Sequence, residues 1–165
     1  LSTLVYKDAD TSAKFIAQLS TVYRYLLFNQ EKKVVRLTHE LEFLEAYLFL
    51  LKIRFGENLI VENRINLDGD KSFIAPAVLQ MLIENAIKHN IVSKKNPLRI
   101  KLFSENGWIV VSNSLQEKEV KEESTQVGLR NISGRYVFLS DEEVKIQKSS
   151  GEFTVKIPLL YVEEL

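Results

Sequence analysis

Gln80-Met81-Leu82-Ile83-Glu84-Asn85-Ala86-Ile87-Lys88-His89-Asn90 is the stretch whose reading decides the fold. Leu79, Leu82, Ile83, Ala86 and Ile87 recur at helical spacing and predict a helix with one face on a core. Glu84, Asn85, Lys88 and His89 fall together on the neighbouring stripe, because positions three and four apart are adjacent on a helix surface. A carboxylate, an amide, an ammonium and an imidazole side by side suit a metal ion and a polyphosphate. Asn85 offers a neutral oxygen to a hard cation such as Mg²⁺, which prefers oxygen ligands and keeps part of its water shell. Lys88 supplies a point charge for phosphate oxygens, and Glu84 can accept a proton or position an attacking group. The plainer alternative stays open: Glu84 and Lys88 are also an i, i+4 helix pair, with Asn85 and His89 simply solvated.

The rest of the chain bounds the function. Its 165 residues suffice for one sizeable core, or a small domain with a helical appendage. Lys plus Arg and Asp plus Glu number 22 each, so the net charge is zero and no global field draws the chain to nucleic acid. Cysteine is absent, which removes disulfides, thiolate metal sites and cysteine nucleophiles and fits a reducing compartment. With only His39 and His89, a histidine-rich zinc site is excluded. No apolar run approaches the ~20 residues needed to span a bilayer. The chain begins at Leu1 in mid-pattern without an initiator Met, and is expected to be a piece of something longer.

Outward from the central helix, the N-terminal portion predicts two helices. Phe15, Ile16, Leu19, Val22, Tyr23, Leu26 and Leu27 form an apolar stripe after a polar segment at 7–12. A polar break at 29–33 follows. Leu41, Leu44, Tyr47, Leu48, Leu51 and Phe55 form a second stripe that stops at Gly56, a good C-terminal cap residue. The pair reads as an antiparallel hairpin whose stripes are wider than one partner helix covers, so packing on the next domain and self-association are both open. Residues 59–66 read as a strand, 67–72 as a polar turn, and Ala75-Pro76 as the entry to a helix over 78–90, with Pro76 in its first turn. Residues 97–103 and 108–113 predict strands joined through Glu105-Asn106-Gly107. Residues 114–126 are too charged to bury and predict a mobile lid. A helix over 128–139 and a hairpin of 143–148 with 152–158 complete an α+β arrangement, with the helices on one face of a mixed, mainly antiparallel sheet.

These residues, in order, resemble a family. Tyr23-Arg24-Tyr25-Leu26, Leu37…Glu40-Leu41…Tyr47-Leu48, Arg54-Phe55-Gly56-Glu57, Gln80…Glu84-Asn85-Ala86-Ile87-Lys88-His89 and Gly128-Leu129-Arg130-Asn131…Arg135-Tyr136 look like the cytoplasmic part of the LytS-like sensor histidine kinases. The resemblance implies a helical dimerisation segment over 1–55 and an ATP-binding domain of the GHKL (Bergerat) fold, an α/β sandwich, over 56–165. It further implies ATP and Mg²⁺ as cofactors, a homodimer through the N-terminal helices, a LytTR-type response regulator as partner, and membrane attachment only through segments upstream. The protein would then be the cytoplasmic portion of a bacterial inner-membrane sensor. Carried over residue by residue, Asn85 becomes the Mg²⁺ ligand, Lys88 and His89 lie near the phosphates, and Glu84 matches the candidate general base. Asn113 lies where related kinases carry the Asp that reads the adenine amino group. Gly128-Leu129 match the second half of a glycine box, where free backbone N–H groups meet phosphate.

The chain departs from the family pattern in three ways. The phosphoacceptor motif Asn-Pro-His-Phe-Leu-Phe-Asn belongs just before Leu1, outside this sequence, and His39 at a usually acidic position reads as a solvated surface residue. Asn113-Ser114 replaces the Asp and lacks the Gly of the first glycine box. Asn113→Asp is therefore expected to tighten nucleotide binding by roughly 1 kcal/mol, the gap between charge-assisted and neutral hydrogen bonds. Gln126 stands where the first Gly of the second box is expected. The alternative function is a nucleotide-sensing or non-catalytic dimerisation module with degenerate glycine boxes. No Walker-type Gly-Lys-Ser/Thr run exists, Ser149-Ser150-Gly151 has no histidine near it in sequence, and Trp108 on an alternating strand reads as core.

Overall fold

A computed structural model describes residues 8–66, 71–118 and 125–161. Helix α1, Ala9–Asn29, starts earlier than its apolar stripe does, because the Asp8 carboxylate accepts from the Thr11 N–H at 2.9 Å and caps the first turn. Helix α2, Leu37–Phe55, ends where expected: Gly56 takes φ +55°, and its N–H returns to the Lys52 carbonyl. Between the two helices lies β1, Val35–Arg36, which pairs antiparallel with β3, Phe73–Ile74, in a small ribbon outside the main sheet. Strands of two residues carry no readable period, which is why the sequence assigned no strand there.

The main sheet has the order β2-β4-β5-β7-β6, with β2 at Leu59–Arg64, β4 at Leu98–Glu105, β5 at Trp108–Ser114, β6 at Lys145–Lys148 and β7 at Glu152–Pro158. Among the described strands only β2 and β4 are parallel. A parallel pair needs a long crossover, and helix α3, Val78–His89, is that crossover. The β4–β5 turn is tight, with positive φ at Asn106 and Gly107, as an Asn-Gly hairpin requires. Register pairs Leu102 with Val111 and Ile100 with Asn113, and pairs Val111 and Ile109 with Val155 and Ile157, on the face of the sheet that Leu98 shares. On this face α3 lays Val78, Leu79, Leu82, Ile83 and Ala86, and α4, Thr125–Tyr136, adds Ile132 and Tyr136. Leu37, Leu44 and Leu51 of α2 belong to the same core, so the hairpin is packed against the sheet domain rather than tethered to it. A mixed, mainly antiparallel sheet with its helices on one face is what the alternation of periods implied.

Four sequence expectations are corrected. Pro76 precedes α3 rather than lying in its first turn, because the helix starts after a left-handed Ala77 at φ +60°. Helix α4 begins at Thr125, so Gly128 lies inside it. Trp108 sits on the opposite face of the sheet from the core, under the Lys145 ammonium at 4.1 Å from its ring centre, a cation–π contact. The proposed lid over 114–126 is not uniform: Ser114 ends β5, the Leu115 N–H donates to the Gly151 carbonyl, 116–118 are fastened at the C-terminal end of α3, and 119–124 lie outside the described residues. Among the described residues, no helix is long and apolar enough to cross a membrane.

Candidate functional site

The polar stripe of α3 is where the sequence placed it. Glu84 and Lys88 are exposed and Asn85 and His89 half-buried, while Leu82, Ile83 and Ala86 are turned to the core. The Asn85 amide has no hydrogen-bond partner among the described residues, so its oxygen is available to a ligand. Glu84 leans the other way: Tyr47 of α2 donates to it at 3.2 Å, and Gln80 at 2.7 Å. Burial, then the Glu84 charge, push the Tyr47 phenol well above its ordinary value, so it stays a donor.

Asn113 is the second element of the site. It lies on the core face of β5, in register with Ile100 and Phe153, and is 5 % exposed. An amide so placed in an apolar row needs a partner; its Nδ2 donates to the Ser114 carbonyl at 2.8 Å. The Oδ1 then remains as an acceptor, the group an adenine amino donor requires. This geometry sets a folding cost beside the binding gain expected of Asn113→Asp. The carboxylate would face the Ser114 carbonyl in a nearly buried place, and about 1–3 kcal/mol of stability should be lost at neutral pH. Denaturant titrations should show part of that loss recovered on acidification, as the protonated acid regains a donor.

The C-terminal end of α3 is tied to the segment after β5. Lys118 donates through Nζ to the Lys88 carbonyl at 2.9 Å, and its N–H reaches the His89 carbonyl at 3.1 Å, so a cation caps the helix end. Asn90 donates back to the Ala86 carbonyl at 2.9 Å and accepts from the Gln116 N–H at 2.8 Å. Glu117 pairs with Lys148 of β6 at 2.7 Å. Charged composition suggested a loose segment, but specific partners on α3 hold its first residues.

Gly128 and Leu129 lie in the first turns of α4, which packs against α3. A Cβ placed on Gly128 would meet nothing within 4 Å, so this backbone borders open space. The Leu129 side chain packs on the core, which leaves only its backbone for a phosphate. Asn85 and Asn113 fit an adenine nucleotide with Mg²⁺: one amide oxygen for the cation, one for the base. Among the described residues no cluster of three acidic or histidine side chains could hold a metal alone, so such a cation would also depend on phosphate oxygens and water.

Tyr25 and Glu40 stand in the quoted motifs, but the sequence assigns them no role in holding this site. Glu40 of α2 is fully buried, and its carboxylate accepts from the N–H of Ala77 at 2.9 Å and of Leu79 at 3.1 Å. The Tyr25 hydroxyl of α1 donates to the same carboxylate. Burial raises the Glu40 pKa above the ordinary carboxylate range, against the lowering effect of these donors. Since folding raises this pKa, the Glu40 contribution is greatest below the ordinary value of 4.5 and is lost as pH rises through the folded value. Melting temperature against pH should therefore slope more steeply in the parent than in Glu40→Gln over that window. A charge in line with Leu37 and Leu44 was the available signal.

Residues 1–59 match the family model for histidine kinases. The chain is 26% identical over 185 residues to the sensor protein LytS of Bacillus subtilis strain 168, covering 99% of this chain and 31% of that protein. It is 36% identical over 89 residues to LytS of Staphylococcus haemolyticus, covering 54% of this chain and 15% of that one. The chain thus spans about a third or less of these relatives. Its fold is similar to that of the Acinetobacter baumannii histidine kinase AdeS, with TM-score 0.50, 17% identity, and coverage of 87% of this chain and 76% of that one. It is equally similar to the cytoplasmic segment of histidine kinase QseC, with TM-score 0.50, 15% identity, and coverage of 94% and 95%. The class of fold defined is a helical hairpin against a GHKL-like α/β sandwich, the fold shared with these histidine kinase structures. Within that class the chain is similar to a segment of the LytS-like sensor histidine kinases.

Proposed function

We propose that this chain is the ATP–Mg²⁺-binding core of a two-component sensor kinase that transfers a γ-phosphoryl group to a histidine upstream of Leu1. From there the group passes to a response regulator, of the LytTR type on the resemblance. The observation that carries the reading is the pair of available amide oxygens, Asn85 on α3 and Asn113 on the sheet face that α3 covers. Asn85 would hold the cation, Lys88 and His89 the phosphates, Asn113 the adenine amino group, and the start of α4 at Gly128-Leu129 the remaining phosphate oxygens. Mg²⁺, when bound, offsets phosphate charge. Glu84, steadied by Tyr47, would orient the acceptor imidazole for in-line transfer.

The same reading assigns 1–55 to dimerisation and 56–165 to nucleotide binding, with any membrane anchor in upstream segments. The neutral Asn113 and the Gln126 departure favour a second reading, a nucleotide-sensing or non-catalytic dimerisation module. Calorimetry of ATP with and without Mg²⁺, joined to autophosphorylation of a chain extended upstream, separates the two. Binding with phosphorylation supports the kinase, binding alone the sensor, and neither a degenerate dimerisation module.

A further inference from the structure

We propose that Glu40, clasped by Tyr25, is a positioning residue of the nucleotide site: it holds the first turn of α3 across the junction with the hairpin, so the 84–89 stripe is set in place only while the hairpin is docked. The site half of this proposal rests on the nucleotide reading above; the docking half does not.

Helix α3 has no N-terminal cap of its own. Its N-cap residue is Ala77, which offers no side-chain acceptor, and its first turn carries no acidic residue. The orphan N–H groups of a helix start need acceptors, and here they come from another helix. One Glu40 oxygen accepts from Ala77 and Tyr25, the other from Leu79. Ala77 is held at φ +60°, a strained conformation for any residue but glycine, which persists only where its surroundings impose it. On the far side, Arg135 of α4 donates to the Pro76 carbonyl at 3.3 Å, and the Ala75 N–H reaches the Tyr136 hydroxyl at 3.3 Å. The entry to α3 is therefore fastened by α2 and α4 directly and by α1 through Glu40.

Tyr47 and Glu84 make a second tie between the same two helices. Glu40 and Tyr47 are seven residues apart on α2, and Ala77 and Glu84 are seven apart on α3. Two turns on one helix thus match two turns on the other, and the ties form a ladder of two rungs. Sliding α2 by one turn, about 5.4 Å, would break both rungs together. Discrete packings of this kind are how helix shifts become switches.

Hydrogen exchange and Mg-ATP calorimetry on the full chain test the proposal, with Glu40→Gln, Tyr25→Phe and the packing control Leu44→Val. Gln keeps one acceptor but turns an NH₂ toward one of the two N–H donors; Phe removes only the hydroxyl and leaves the fold intact if Glu40→Gln does not fold. The expected result is exchange at least tenfold faster at Ala77 and Leu79, and Mg-ATP affinity at least fivefold weaker, in both variants. Leu44→Val, with a comparable change in melting temperature, should move neither. Protected amides at 77 and 79 in both variants overturn the proposal, and so do freed amides with unchanged Mg-ATP affinity, which mark a purely structural cap. If the parent itself binds no Mg-ATP, the nucleotide reading fails on its own. The docking claim then stands if exchange over 84–89 accelerates in the variants and falls if it does not.

Discussion

Asn85→Ala is expected to abolish the Mg²⁺-dependent part of ATP binding while leaving the fold unchanged. The side chain lies off the apolar stripe of α3, is half-buried, and has no hydrogen-bond partner among the described residues, so its loss opens no core cavity and strands no buried donor. Alanine also favours the helix by a few tenths of a kcal/mol over asparagine. Stability should accordingly stay within about 0.5 kcal/mol of the parent, the range for substitutions away from packing and polar networks. A neutral oxygen ligand for a hard cation has no substitute at this position, since the stripe otherwise presents Lys88 and His89 and the Glu84 carboxylate is engaged by Tyr47 and Gln80. Calorimetry with and without Mg²⁺ measures the effect. Mg-ATP binding by Asn85→Ala equal to that of the parent would remove the metal assignment.

The second large effect concerns self-association. Ile16, Tyr23 and Leu27 recur along one line of α1 and are 51%, 59% and 69% exposed, whereas Val22 and the half-buried Tyr25 face α2. An apolar line left open on a helix that already has its partner suits a second copy of the hairpin, as in a four-helix bundle. Burying a large apolar side chain contributes about 1.5–3 kcal/mol, so Ile16→Glu with Leu27→Glu should weaken a dimer by at least two orders of magnitude. Sedimentation or light scattering across concentration reads this directly. A parent that is monomeric at high concentration counts against the dimer. A double variant that still dimerises as the parent does places the interface elsewhere.

How far the sequence could be read depends on whether an element declares itself through its own neighbours. The stripe of α3 was legible because apolar residues at helical spacing put Glu84, Asn85, Lys88 and His89 on one side, and the structure keeps them there. Gly56 ending α2 and Asn106-Gly107 turning β4 into β5 were legible for a related reason: positive φ restricts the residue type locally. The start of α3 was misread because Pro76 is a local signal, whereas the boundary is imposed by Glu40, 37 positions away in the chain. Residues 116–118 were misread because charge suggested solvation, while Lys118 had carbonyl partners on α3 and Gln116 had partners at Asn90 and Ile91 just beyond it.

By itself, the sequence determined the class of fold and the polar face of α3. Both follow from periodicity and residue chemistry over short spans. Only the tertiary structure decided how that face is held. Asn113 lies in an apolar row with its Nδ2 already committed to Ser114, Glu84 is bound to Tyr47, and Glu40 caps a helix that has no cap of its own. The reason is that a buried polar group must find partners wherever packing brings them, and packing joins residues that no local pattern connects.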